Sequence, residues 1–408
     1  MSGIRYLPAA LVLLAVAGLA TKNLSHYPMG IMSLLGMWHA ARAPRIVIWS
    51  PDGRFLSGLF MCIWLPMLMS LPDAAHLSRA SETTIAYFHF LPAGLYMLYM
   101  LRDLEVRRIV LIGVTGIVGF WCVDGVIQLL FGRDLFGYPY DGSVLKGVFY
   151  PKQRFGLVIS VFAPLLCYAA WRFSKQTPWA WLTLLPLVIG VTFSLKRTAW
   201  IMLLAALVMF AVCFMRTTRT NVTRVVTLIV VSALFVGVTV FSVPKLHTQV
   251  TDTLDIFSTD FKTADVATSH RLSLWKTGLS VARAHWVNGV GPRGFRTVYR
   301  EFASSDDFWI ARGNSGQTHP HLMTLEVFVE TGVIGLLGYA LCLSMLARRA
   351  WRQRKIHPAG CALLIVAVVA WFPLNAHLAF YGSYWANIAW LAISLGCASL
   401  ATTSEPTS

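Results

Sequence analysis

The chain has 408 residues, of which 56% are hydrophobic and 13% charged, with a formal net charge of +16. Soluble domains carry roughly 25% charged residues, so an ordinary soluble protein is excluded and an all-α polytopic membrane protein is expected.

Runs of about eighteen or more apolar residues with few charges read as spanning helices. Twelve can be placed, at approximately 5–20, 25–41, 55–71, 84–101, 109–130, 155–171, 178–194, 198–215, 225–243, 322–347, 359–374 and 384–401. The first, with Arg5 ahead of it and AGLA at its end, also has the form of a cleavable signal peptide, although a hydrophobic partner follows at once. The second is interrupted by Tyr27, Pro28, Gly30 and His39. The expected organisation is nine spans over 1–244, an outer loop over 245–320, three spans over 321–401 and a polar tail over 402–408.

Lys and Arg in short connections favour the cytoplasm. With the amino terminus inside, the inner connections (42–54, 102–108, 172–177, 216–224, 348–355) hold 16 Lys/Arg, and the short outer ones (20–24, 72–83, 195–197, 375–383) hold four. Both termini are therefore expected in the cytoplasm, with the long connections 131–154 and 244–321 outside. The inner charge is a topological signature, not the mark of a nucleic-acid partner. The outer cations include Arg133, Lys146, Lys152, Arg154, Lys196, Arg197 and nine further Lys/Arg between 245 and 312. Long loops translocate regardless of charge, so the informative outer cations are those at helix ends. All seven cysteines fall inside expected helices, which argues against a disulfide framework or a thiolate metal site.

Lys152 and Arg154 stand at the outer mouth of the sixth span, where a snorkelling anchor would look the same. Lys196 and Arg197, in SLKRTAW, fill the gap between the seventh and eighth spans. Arg197 begins a helix, where a cation meets the positive end of the macrodipole. An anionic ligand would relieve that cost, since Arg offers a planar fork suited to phosphate oxygens. In the outer loop, SHRLSLWKTGLSVARAHW carries Leu272, Trp275, Leu279, Ala282 and Trp286 at helical spacing, with Ser269 as the expected N-cap and Arg271 early on the helix. NGVGPRGF then makes a turn. Asp306 and Asp307 read as a solvated pair.

His319 and His321, followed by Glu326 and Glu330, lead into the tenth span. Histidine and carboxylate at the end of a membrane helix are costly unless they face a polar cavity. Histidine titrates near neutrality and suits a general base. H-P-H is not a recognised metal-ligand spacing and no H-E-x-x-H occurs, so no metal is expected. There is no G-x-x-x-x-G-K-[ST] loop, hence no nucleotide-driven pump, and TKNLSHY lacks the acidic pair of a metal-dependent sugar transferase. No other cofactor is expected.

Three elements together carry a resemblance: the short K-R-T-A-W element between two spans, R-x-x-x-W on a helix ending in G-x-G-P-x-G-F, and H-x-x-x-L-x-x-x-x-E-T-G-x-I-G running into the next span. They occupy Lys196–Trp200, Arg271–Phe295 and His321–Gly335. In these the chain resembles the O-antigen ligase and polymerase superfamily, and most closely its O-antigen ligases. Family members often have Asn after the histidine, where this chain has Leu322.

The resemblance implies a fold of the all-helical class of lipid-linked glycosyltransferases (GT-C-like) in the bacterial inner membrane. It also implies transfer of undecaprenyl-diphosphate-linked O-antigen to the lipid A-core oligosaccharide at the periplasmic face. By the same resemblance His321 is the catalytic histidine and Arg197 and Arg271 the key arginines. The residues suit that role on their own chemistry. Fixed cations stabilise the charge that develops on a departing diphosphate, and a base activates the sugar hydroxyl. Lys196 would assist the arginines, with His319 as an alternative base and Glu326 or Glu330 as orienters. No carboxylate nucleophile stands beside the histidine, so a single inverting displacement is expected. Within the superfamily, an O-antigen polymerase or a protein O-oligosaccharyltransferase would use the same donor. A transporter of lipid-linked glycan would place its ionisable residues nearer the midplane, where Asp124 is the main deep charge.

Overall fold

A computed structural model of the chain describes residues 5–215 except Lys22, the isolated residues Gly237, Thr248 and Thr251, and residues 253–311, 316–376 and 378–400. The expected ninth span (225–243, Gly237 apart), the loop 216–224 and the tail 402–408 lie outside the described residues.

The regular structure of the described residues is helical. In chain order the main helices are α1 (Leu7–Ala17), α2 (His26–Arg42), α3 (Pro51–Met69), α4 (Leu77–Tyr87), α5 (Phe90–Met100), α6 (Leu104–Phe131), α7 (Phe155–Phe173), α8 (Leu185–Phe193), α9 (Arg197–Met215), α10 (Phe261–Ala267), α11 (Arg271–Ala284), α12 (Phe295–Phe302), α13 (Met323–Gln353), α14 (Pro358–Ala370) and α15 (Ser383–Leu400). Among them α6, α7, α9 and α13 are long and apolar enough to cross a membrane, while the apolar stretches Leu7–Ala20, Trp179–Phe193 and Pro358–Ala370 are shorter.

The centre of the bundle is α15, buried from Tyr384 to Leu400. Lipid offers no hydrophobic drive between helices, so close packing and interhelical hydrogen bonds must hold them. The large polar side chains of α15 supply those bonds. Trp385 donates to the Ala370 carbonyl (2.8 Å), Trp390 to the Tyr87 hydroxyl (3.0 Å), Tyr384 to the Leu19 carbonyl (2.9 Å) and Asn387 to Ser25 Oγ (2.7 Å).

Contacts between loops sort the bundle into two ends. At one, Arg5 pairs with Asp103 and Glu105 (2.9 Å each), Arg102 donates to the Ile46 carbonyl (3.1 Å) and Arg349 pairs with Asp52. At the other, Asn288 donates to Asp73 (2.6 Å) and the Ala75 amide to the Val290 carbonyl (3.0 Å). The loops expected on a common side of the membrane thus share an end.

Two expected spans are interrupted. The fourth (84–101) breaks between α4 and α5. Pro92 has no amide hydrogen and cannot continue the helical ladder there, and its backbone packs so close to α2 that a Cβ on Gly36 would lie 1.9 Å from its carbonyl oxygen. The tenth is α13, which at 31 residues is about 46 Å long and exceeds a hydrocarbon core of about 30 Å. It breaks at Gly332 (φ 65°, ψ −163°). The turns before the break pack, through Leu325 and Val329, with Leu274, Val281, Phe295 and Tyr299 of α11 and α12, a second apolar core outside the main bundle.

That break admits the chain after α11. A Cβ on Gly332 would stand 1.9 Å from the Val287 carbonyl oxygen. Gly332→Ala therefore combines a left-handed backbone cost of roughly 1–3 kcal/mol with a clash. It should lower the detergent-solubilised melting temperature by several degrees, whereas Gly119→Ala, where a Cβ meets nothing within 4 Å, should leave it unchanged; equal melting curves for the two would contradict this packing.

Candidate functional site

Backbone strain marks the site. Among the described residues five that are not glycine have positive φ: Leu195 (50°), Ser269 (59°), His270 (60°), Arg293 (64°) and His321 (52°). Each costs roughly 1–2 kcal/mol and persists where its surroundings over-determine it. All five are in, or one or two residues from, the three motifs.

The turn between α8 and α9 is held by its own side chains. Ser194 Oγ donates to the Val191 carbonyl (2.7 Å), and the Trp200 indole reaches back to the same carbonyl (3.1 Å). Gly156 of α7 lets this turn approach, since a Cβ there would fall 2.1 Å from Ser194 Oγ. Ser160 then bonds the Ala199 carbonyl (3.0 Å). The pinned turn presents Lys196, which donates to Gln153 (2.5 Å), and Arg197, which donates to the Ala267 carbonyl.

The start of α11 is organised by Asp265, not by the expected N-cap Ser269. His270 occupies the cap position without a side-chain cap bond. Buried Asp265 instead accepts from the Ser273 amide (2.8 Å), Ser273 Oγ (2.8 Å) and His270 Nδ1 (3.1 Å). The left-handed pair Ser269–His270 turns the chain so that Arg271 faces the turn between α8 and α9. The buried face of α11 also differs from the expected one. Leu274, Thr277, Gly278, Val281 and Ala282 are buried, while Leu279 and Trp286 are exposed. Gly278 decides this by allowing contact with Leu325, 3.0 Å from its virtual Cβ.

His321 is fixed from two sides. Trp275, one turn after Arg271, donates its indole N–H to the Pro320 carbonyl (3.1 Å). The Met323 amide bonds the Asn375 carbonyl (2.9 Å) and Thr324 the Pro373 carbonyl (2.9 Å). The R-x-x-x-W spacing therefore ties the arginine and the histidine segment to one helix.

Lys196, Arg197, Arg271 and His321 all line one cavity of about 300 Å³, together with Thr198, Ser269 and Trp309. No carboxylate is among its described lining residues. Burial holds the Lys196 amine below its ordinary pKa, and the nearby Arg271 adds to the effect. Burial likewise lowers the pKa of Arg271, with Arg197 contributing. Desolvated cations that repel one another favour a bound anion.

A second cavity of about 480 Å³ adjoins the first. It is lined by Arg154, Arg293, His319, Glu82 and His89 among others. The His319 and His321 rings lie 4.0 Å apart, one in each cavity. Arg154 sits over Tyr384, 3.9 Å from the ring centroid. Lys152 is exposed and lines neither cavity. Glu326 and Glu330 are buried, but their hydrogen bonds go to the Tyr381 amide (3.4 Å) and the Arg293 amide (2.6 Å). They hold backbone in place and do not orient His321 through a hydrogen bond.

Residues 180–340 match the family model described as O-antigen ligase. The match covers less than half of the chain. Among curated proteins none matches the chain. The matched segment contains Lys196, Arg197, Arg271 and His321; Arg154 lies before it.

Two supports of the first and second cavities were not evident in the sequence. Asp265 has no motif around it, because its partners are the Ser273 amide and hydroxyl eight residues on and the His270 ring five residues on. Arg293 sits in a glycine-rich turn, and its place in the second cavity depends on Glu330. Asp307 also departs from the solvated reading, being buried and accepting from Tyr299 (3.0 Å) and the Trp309 amide (2.9 Å). Asp124 is two turns from the end of α6, where it accepts the Leu135 amide (2.9 Å) and holds the following loop. Since the Trp275 hydrogen bond positions the histidine segment, Trp275→Phe should keep the fold and lower any glycan-transfer activity of the purified protein about ten-fold, the equivalent of one net hydrogen bond; unchanged turnover would show that this bond positions nothing.

Proposed function

We propose that the protein is an O-antigen ligase of the bacterial inner membrane. It transfers undecaprenyl-diphosphate-linked O-antigen to the lipid A-core oligosaccharide, with the site facing the periplasm and both termini in the cytoplasm. The observation that carries this reading is the convergence of Lys196, Arg197, Arg271 and His321, from three separated segments, on one cavity with no carboxylate among its described lining residues. A twelve-span GT-C-like fold with the periplasmic segment 245–320 belongs to the same reading.

The diphosphate of the donor occupies the first cavity. As the anomeric C–O bond breaks, charge grows on the departing diphosphate oxygen. Arg197, Arg271 and Lys196 stabilise that charge more than they stabilise the ground state. The acceptor enters through the second cavity, where Arg154 and Arg293 suit a phosphorylated core sugar. His321 takes the proton from the attacking hydroxyl, and His319 beside it is placed to pass that proton outward. The displacement is in line, inverts the anomeric carbon and needs no metal, because the leaving charge is met by side chains.

Reconstitution of the purified protein with lipid-diphosphate glycan and rough lipopolysaccharide, in the presence of a chelator, tests this directly. Ligated lipopolysaccharide is the expected product; lengthening of the donor glycan without ligation would replace the proposal with the polymerase reading. In that assay Arg197→Ala and Arg271→Ala should each lose about 10²–10³-fold, and His321→Ala about 10²–10⁴-fold. Near wild-type activity in any of them would remove that residue from its role.

The depressed Lys196 pKa gives a pH signature. An amine is charged below its pKa, so a lowered value loses the charge earlier as pH rises. The kcat/KM for donor should therefore fall on the alkaline side below the ordinary lysine range. Lys196→Arg should move that limb to higher pH, and a limb that stays in place would assign it to another group.

A further inference from the structure

At the end of the bundle opposite the two cavities, α6 and α7 part around a third cavity, of about 810 Å³. On α6, Arg108, Ile112 and Gly116 follow one another at four-residue spacing along its wall, with Arg107 beside the first. On α7, Leu165, Tyr168 and Arg172 face them. The two ends match in level: Arg107 and Arg108 lie in the first two turns of α6, and Arg172 in the last turn of the antiparallel α7. Three guanidinium groups thus ring one end of an apolar trough.

Among the described residues no carboxylate pairs with Arg108 or Arg172. Asp103 and Glu105 are taken by Arg5, and no carboxylate is among the described lining residues. Arg107 donates to the Ala398 carbonyl (3.3 Å). The trough is open along its floor, since a Cβ on Gly116 would meet nothing within 4 Å. Ile112 is 62% exposed within it.

We propose that this cavity binds an anionic glycerophospholipid of the leaflet opposite the two cavities. The phosphate sits between Arg108 and Arg172, where guanidinium forks match its oxygens. The acyl chains run along Ile112, Gly116 and Leu165. A basic pocket between membrane helices is the setting in which anionic headgroups are recognised. A free phosphate or a soluble nucleotide would leave the apolar wall uncovered, which is why the lipid is the better fit. The assignment does not rest on the glycosyl-transfer reading.

The test is native mass spectrometry of the full-length protein in detergent, titrated with dioleoylphosphatidylglycerol or dioleoylphosphatidylcholine. The anionic lipid should be retained about ten-fold more strongly. Arg108→Gln/Arg172→Gln should abolish that preference, and Gly116→Leu should weaken retention of the lipid by filling the trough. Arg42→Gln/Arg45→Gln, at the same end of the bundle but outside the cavity, should change nothing. Equal retention of the two lipids by the unmodified protein would overturn the proposal, and this comparison needs no variant to fold. Loss of preference in the Arg42/Arg45 control would reduce it to general surface charge. Displacement of the lipid by millimolar inorganic phosphate would make the cavity a free-anion site instead.

Discussion

The arrangement of the site depends on how the chain after α11 crosses the break in α13. The Val290 amide bonds the Val329 carbonyl (2.9 Å), and the Val333 amide bonds the Trp286 carbonyl (2.8 Å). Glu330 accepts the Arg293 amide from below (2.6 Å). These bonds exist because Gly332 leaves the helical path and frees backbone groups, and because Gly289 brings its own backbone against Glu330, where a Cβ would lie 2.4 Å from the Glu330 carbonyl carbon. The E-T-G sequence is thus a docking device. Its glutamate anchors the turn, and its glycine opens the helix to receive it. Thr331 ties the same point to Tyr381 in the bundle (2.8 Å).

With α11 docked there, the remaining geometry follows. Its first turn reaches the α8–α9 turn, where Arg197 bonds the Ala267 carbonyl just before the left-handed pair Ser269–His270. Its Trp275 reaches the Pro320 carbonyl beside His321. Three segments distant in sequence are therefore locked to a rigid membrane scaffold, with the cations and the histidine on facing walls of one cavity. The strained φ angles at Leu195, Ser269, His270 and His321 are the local cost of aiming those side chains inward, sustained by the packing around them.

Much of this was readable beforehand. The apolar runs locate helices, and charge asymmetry groups the loops that the structure finds at a common end. Lys196, Arg197, Arg271 and His321 were identified by motif, and they do share a cavity. The roles of Glu326, Glu330 and Lys152 were not readable. A carboxylate four residues from another on a helix looks the same whether it faces a histidine or a backbone amide, and a cation near a helix mouth looks the same whether it lines a cavity or water. The buried face of α11 was misassigned for a related reason: hydrophobic periodicity favoured its large residues, while Gly278 and Thr277 make the close contact.

The sequence by itself determined that the protein is a helical membrane protein and which residue types suit the proposed chemistry, because both are properties of composition, run length and local spacing. Only the tertiary structure decided which of those residues meet. It placed Arg154 and Arg293 in a second cavity beside His319, set Asp265 to organise the start of α11, and left Lys152 outside. Those outcomes depend on glycine-permitted close approaches and on hydrogen bonds to backbone carbonyls from residues far away in the chain. Neither leaves a periodic trace in the sequence.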